Sequence, residues 1–229
     1  ETIGGGVRWR DVRAERTGCR GSYPAQEGPE CAGVPDGRCE AAHLGALEAT
    51  DAACLTIGGQ QYNHLFYRGT AGSPTLPLDA ASGEGGIVSV TNRGGASWGE
   101  LVRVIRTPSQ TFVAMVPIPG PGQSVALPPP TSDADLGRAR QSIGVGLRAL
   151  GMSEQEGQAF ERAWLSELFD PTTEAARSAR REPARDMSNT DAILYWLPEA
   201  SAAELATLTF EPAPQAVRRA FLVRLAIAP

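Results

Sequence analysis

Four cysteines, Cys19, Cys31, Cys39 and Cys54, crowd into the first quarter of the chain, and the residues after them contain none. They sit in stretches such as Gly18-Cys19-Arg20-Gly21-Ser22 and Pro35-Asp36-Gly37-Arg38-Cys39, which offer little apolar surface to bury. A loop-rich segment of that kind cannot order itself by burial, so two disulfides are expected to supply the restraint. Four cysteines allow three pairings, and spacing does not choose among them. A metal site is the competing reading, with His43 four residues after Cys39. The gaps of 11, 7 and 14 residues contain no C-x-x-C knuckle, which suits zinc poorly. Free thiols are the third reading. Disulfides point to an extracytoplasmic protein: periplasmic, on the outer surface or secreted. The first residues, Glu1-Thr2-Ile3, read like a mature chain after removal of a signal peptide or lipoprotein leader, although a trimmed chain would begin the same way.

The chain has 229 residues, enough for one large domain or two small ones with a real core. All 21 basic residues are Arg, the mark of a GC-rich genome. The absence of Lys removes a Walker-type phosphate loop, a Schiff-base lysine and a Ser-Lys dyad. A net charge of -5 argues against a general nucleic-acid binder, which needs a basic face for phosphates. No apolar stretch approaches the roughly 20 residues that span a bilayer.

Composition and turn signals divide the chain at about 55 and 130. Residues 1–55 are the cysteine-bearing segment, with one apolar patch at Val7–Val12 and a helical turn expected over 40–50. Residues 56–130 carry short β-like runs between turns: Tyr62–Tyr67, Gly86–Asn92, Leu101–Arg106, Thr111–Val116 and Gln123–Leu127. Runs at that spacing predict a small antiparallel β-sandwich. Pro128-Pro129-Pro130 ends it. Residues 131–229 open with Ser132 as a helix cap and Leu136, Ile143, Leu147 and Leu150 on one face. Gly151 stops that helix, and Ser153-Glu154-Gln155-Glu156 is a capping box for a second one, with Phe160, Ala163, Trp164 and Leu168 as its apolar stripe. The two make an αα-hairpin, with Trp164 expected in its core. Residues 171–191 are Arg-rich and weakly patterned, as a solvated loop is. Strand Ala192–Leu197, a helix over Ser201–Leu208 and strand Val217–Ile227 form a closing β-α-β unit. The fold class is therefore α+β.

Several phrases resemble a group of uncharacterised bacterial secreted or envelope proteins. They are Leu65-Phe66-Tyr67-Arg68-Gly69, Leu76-Pro77-Leu78, Thr91-Asn92, the helix Glu156–Phe169, Asp191–Pro198, Leu208–Pro214 and Val217–Phe221. The likeness covers about 60–229 and leaves out the cysteine segment. It implies an envelope location and a shared architecture, and it carries no activity or functional residues.

Constellations for chemistry are sparse. Gly95-Ala96-Ser97-Trp98-Gly99 matches the G-x-S-x-G nucleophile elbow in letters, but an elbow needs a helix after it. Leu101–Arg106 looks like a strand instead, so Ser97 reads as a turn residue in a glycine-rich hairpin. Both histidines, His43 and His64, precede it, opposite to the hydrolase order. No H-E-x-x-H or H-x-H pairing marks a metal site. Asp133/Asp135 and Glu154/Glu156 are paired carboxylates that helix capping explains. His64, Arg68 and Trp98 are the candidate binding residues, and no cofactor is implied. The expected function is a non-catalytic extracytoplasmic binding or assembly protein, an accessory subunit of a larger envelope complex with a protein partner. The alternative is a secreted serine hydrolase using Ser97. If the cysteines are paired, thiol titration of the unfolded, unreduced protein will find essentially none free; two or more free thiols would contradict the pairing and the compartment read from it.

Overall fold

The computed structural model describes residues 2–3, 6–15, 51–65, 75–96, 98–107, 109–170, 191–205 and 207–227. Cys19, Cys31, Cys39, His43, Arg68 and Ser97 fall outside them, as do the turn expected at 40–50 and the loop at 171–190. The described chain is α+β, with antiparallel pairing throughout. It divides into two compact units, residues 1–73 with 153–164, and 74–152 with 165–229. Pro128–Pro130, where the sequence suggests a boundary, lies inside the second.

The first unit holds a two-stranded pair, β1 (Thr2–Ile3) and β2 (Gly6–Val7), and a sheet of β3 (Arg13–Glu15), β4 (Cys54–Ile57) and β5 (Gln60–Tyr62) with β4 central. Gly58 and Gly59 join β4 to β5 with φ of 59° and 84°. Two consecutive residues at positive φ are what a two-residue hairpin turn requires, and glycine meets that without strain. Cys54, fully buried, begins β4. It is not a free thiol; the pairing expected among the other cysteines lies outside the described residues.

The second unit contains two sheets over one core. β6 (Leu78–Ser82), β7 (Val88–Asn92) and β10 (Ser124–Leu127) form one, in the order β10-β7-β6. β8 (Glu100–Arg106), β9 (Thr111–Pro117), β11 (Asp191–Trp196) and β12 (Leu222–Ala226) form the other, in the order β12-β11-β8-β9. Leu78, Val88, Val90 and Leu127 from the first sheet meet Leu101, Ile193 and Tyr195 from the second in a single buried cluster. The strands expected within 86–127 are present. The closing strands differ from expectation. They build no separate β-α-β unit: β11 pairs antiparallel with both β8 and β12, so they complete the sandwich. The reason is burial. Ala192, Ile193, Leu194 and Tyr195 are buried in succession, covering both faces of the strand, and only a central strand offers that.

The second face of the four-stranded sheet carries buried Val102, Val104, Ala192 and Leu194. Helix α1 (Leu136–Ala149) lies against β9 and buries Ala139, Ile143 and Leu147. Trp196 explains Gly146: a Cβ there would run into the indole, so only glycine fits. α1 begins later than the sequence suggests. Ser132 Oγ accepts from the Ala134 amide, and Asp135 holds the capping position without a side-chain bond. Its end is as expected. Gly151 has φ of 84°, its amide donates to Arg148 and that of Met152 to Leu147, which together satisfy the last carbonyls. Helix α2 (Glu154–Phe169) opens with the expected capping box, Ser153 N to Glu156 Oε2 at 2.7 Å and Glu156 N to Ser153 Oγ at 3.1 Å. Trp164 is a correction: it is 39% exposed and touches Phe160, while Ala159 and Phe169 are buried. Helix α3 (Glu199–Leu205) starts two residues before the expected Ser201.

One charged group sits at the centre of this packing. Arg103, 1% exposed, shares the parity of Leu101 and so points into the sandwich from the middle of β8. Its Nε and Nη2 donate to the two oxygens of Asp191 at 3.0 and 2.6 Å, and Nη1 donates to the Leu127 carbonyl at 2.5 Å. Removing one partner strands the other in the interior, so Asp191→Ala is expected to cost about 3–5 kcal/mol in urea unfolding. The paired replacement Arg103→Met with Asp191→Leu should recover most of that loss. A cost below about 1 kcal/mol for Asp191→Ala would mean that water reaches the guanidinium.

Candidate functional site

A cleft opens along one side of the second unit, where β6 and β12 are the outer strands of their sheets. Among the described residues no strand pairs with the outer edge of either. The cleft has a volume of about 600 Å³, within the range of ligand sites. Its floor is aliphatic: Leu76, Leu78 and Ala80 from β6 and its approach, Leu225 and Ile227 from β12 and its end. Those side chains are at least partly buried against the sandwich core. The rim is polar and carries Thr75, Ser82 and Asp79. Asp79 is held outward by Arg93, whose Nε donates to it at 2.9 Å, with both side chains about 65% exposed. Such a cleft can take apolar side chains on its floor.

The approach to this side is fixed by Asn92, which is fully buried. Its Nδ2 donates to the carbonyls of Ala96 and Pro119, each at 2.8 Å, and its Oδ1 accepts from the Gly94 amide at 2.8 Å. The Arg93 and Gly94 amides in turn donate to Pro77, at the entry to β6. A single buried amide therefore ties the segment after β7 to the loop after β9.

That segment contains the G-x-S-x-G letters. Ser97 itself lies outside the described residues. Its flanks are strands on both sides, β7 in the three-stranded sheet and β8 in the four-stranded one. The hairpin expected there is therefore a crossing between sheets, and no helix begins after Gly99 to support an oxyanion hole. Of the candidate binding residues, Trp98 is half-buried and donates its indole N–H to the Trp196 carbonyl at 2.5 Å. His64 is half-buried after β5 in the first unit. The carboxylate pairs mark helix starts: Asp135 lies 3.8 Å from Arg138, and Glu156 completes the box with Ser153. Among the described residues no group of three His, Cys, Asp or Glu side chains gathers as metal ligands, and no helix is long and apolar enough to cross a membrane.

Sequence reading missed the cleft, Asn92 and the Arg103–Asp191 pair. The pair had a signal: an Arg at an inward position of an apolar strand needs a buried carboxylate, and Asp191 opens another apolar strand. Comparison with family models, with curated proteins and with solved structures returned no match.

Tyr195 is another buried residue of this core with a polar group. It is 1% exposed, its hydroxyl finds no hydrogen-bond partner among the described residues, and burial pushes its pKa up from 10.0 to about 12. The phenol thus stays protonated at any working pH. Between pH 10 and 12 an unfolded chain ionises this group while the folded one does not, so stability should fall as pH rises through that window, by roughly 1.4 kcal/mol per unit. The chain has no Lys to titrate there. Tyr195→Phe is expected to flatten the fall and to be neutral or stabilising near pH 7. An unchanged alkaline profile in the variant would show that the hydroxyl is solvated.

Proposed function

We propose that the protein is a non-catalytic binding or assembly protein of the extracytoplasmic space, an accessory subunit of an envelope complex, and that it works through the cleft between β6 and β12. The observation that carries this reading is a cleft with an aliphatic floor where β6 and β12 are the outermost strands of their sheets among the described residues. An extended polypeptide suits such a surface, with alternate side chains entering the cleft. The lining offers hydroxyl and aliphatic groups, and its one carboxylate, Asp79, is engaged by Arg93. The location rests on the cysteine cluster, with two disulfides proposed among Cys19, Cys31, Cys39 and Cys54. The likeness to bacterial envelope proteins points the same way.

Panning a random decapeptide library against the folded protein tests the reading. Selected peptides should be extended and apolar at alternate positions. Ser82 lines the cleft at an exposed position and shares the face of Leu78 and Ala80, so Ser82→Arg fills it without burying a charge. The variant should bind those peptides at least about tenfold more weakly, a loss of about 1.4 kcal/mol. Equal binding to the variant would place recognition elsewhere. Labelling by a fluorophosphonate probe that disappears in Ser97→Ala would contradict the non-catalytic reading altogether.

A further inference from the structure

β10 is the outermost strand of the β10-β7-β6 sheet, on the side opposite β6. In an antiparallel ladder successive residues direct their amide and carbonyl alternately toward the neighbouring strand and away from it. The Asn92 amide donates to the Gln123 carbonyl at 3.0 Å, and the register sets Val125 opposite Val90 and Leu127 opposite Val88. Val125 and Leu127 therefore bond β7, and the amides and carbonyls of Ser124 and Ala126 point outward. Both residues are exposed, and among the described residues nothing pairs with those outward groups. Native edges are commonly blunted by a charge, a bulge, a proline or a covering segment. Residues 123–130, Gln-Ser-Val-Ala-Leu-Pro-Pro-Pro, carry no charge, and the prolines begin only after the last strand residue. The strand is also held in place at both ends. The Leu127 carbonyl accepts from Arg103 Nη1 across the sandwich, and Ser124 Oγ lies 2.8 Å from Thr91 Oγ1. An extended, uncharged edge fixed in this way is preorganised for another strand.

We propose that β10 pairs antiparallel with β10 of a second copy of this chain, about a two-fold axis at Val125. The outward groups decide both partner and register. With Val125 opposite the partner's Val125, the Ser124 amide donates to the partner's Ala126 carbonyl and the Ala126 amide to the partner's Ser124 carbonyl. The axis repeats both bonds in the other direction, so every outward group is used. Identical uncharged strands meet without like-charge repulsion. Val125, half-buried against the core, gains a β-branched neighbour across the axis. Pro128 has no amide to give and stops the ladder at each end, so the contact closes on itself as a dimer and nothing larger. This goes beyond the cleft reading and does not rest on it. β6 is the opposite edge of the sheet, so a dimer leaves the cleft of each copy open.

Sedimentation velocity of the full chain over a concentration series tests this, with the melting profile of every variant checked. The wild type should pass from monomer to dimer as concentration rises, and stop there. Ala126→Pro removes an outward amide and leaves the β7 ladder intact, so its dimer should be at least about tenfold weaker. If that variant melts early, Ser124→Pro replaces it. Ser82→Arg, in the cleft, should dimerise like the wild type. Register is read by disulfide trapping under mild oxidation and non-reducing electrophoresis. Val125→Cys faces its own copy across the axis, with Cα atoms about 4.5 Å apart, and should give a covalent dimer. Ala126→Cys lies diagonal to its copy, at about 7–8 Å, and should not. A wild type that stays monomeric up to about 1 mM, where even a weak contact would register, overturns the proposal. So does a dimer that survives a well-folded Ala126→Pro, weakens in Ser82→Arg, or is trapped by Ala126→Cys and not by Val125→Cys. Library peptides that bind a monomeric protein in a Ser82-dependent way would leave the cleft reading standing without the dimer.

Discussion

A guanidinium buried to 1% exposure in the middle of a β-strand is the constraint around which the second unit is organised. An unpaired charge in that position would cost several kcal/mol, so its partners are not optional. Arg103 stands on β8, Asp191 on β11 and the Leu127 carbonyl on β10, so one side chain joins two neighbouring strands and the facing sheet. It also fixes register. Ile193 lies opposite Arg103 and Asp191 opposite Ile105, which puts the carboxylate on the diagonal from the guanidinium. A slip by one residue would turn Asp191 to the other face and bring Ile193 and Tyr195 out of the core.

With that clamp in place the four-stranded sheet becomes a middle layer. Leu101, Ile193 and Tyr195 face the β10-β7-β6 sheet, while Val102, Val104 and Leu194 are buried on the other side, the side on which Trp196 meets α1 at Gly146. Both faces are spent on the core. Among the described residues, the side where β6 and β12 end their sheets together opens into a cleft. Asn92 ties the segment after β7 to the loop after β9 by holding Gly94, Ala96 and Pro119 through one amide.

Much of the local structure was legible in the sequence, because it is decided by neighbours in the chain. Ser153 and Glu156 state their capping box in letters, Gly151 its helix stop, and Leu101–Arg106 and Thr111–Val116 their strands. What could not be read was decided far away. β6, with Asp79, Ala80 and Ala81, has weak strand propensity and exists because β7 pairs with it and Leu78 is buried. The apolar run of β11 looked like the start of a closing unit, but its pairing with β8 spans 88 residues of chain between Arg103 and Asp191. Trp164 followed the helical stripe and still ended 39% exposed, since periodicity marks a face and not what covers it. The cleft had no sequence signal at all, being made by two strand edges from opposite ends of the unit.

Native-state hydrogen exchange read by mass spectrometry tests most directly whether the Arg103 clamp is the organising element. Amides of β8 and β11 should exchange slowest, only through global unfolding, while those on the outer edges of β6 and β12 exchange through local opening and orders of magnitude faster. In Asp191→Asn the protection of β8, β11 and β10 should fall together. Loss confined to β11, with β8 and β10 unchanged, would contradict the clamp and the layered architecture built on it.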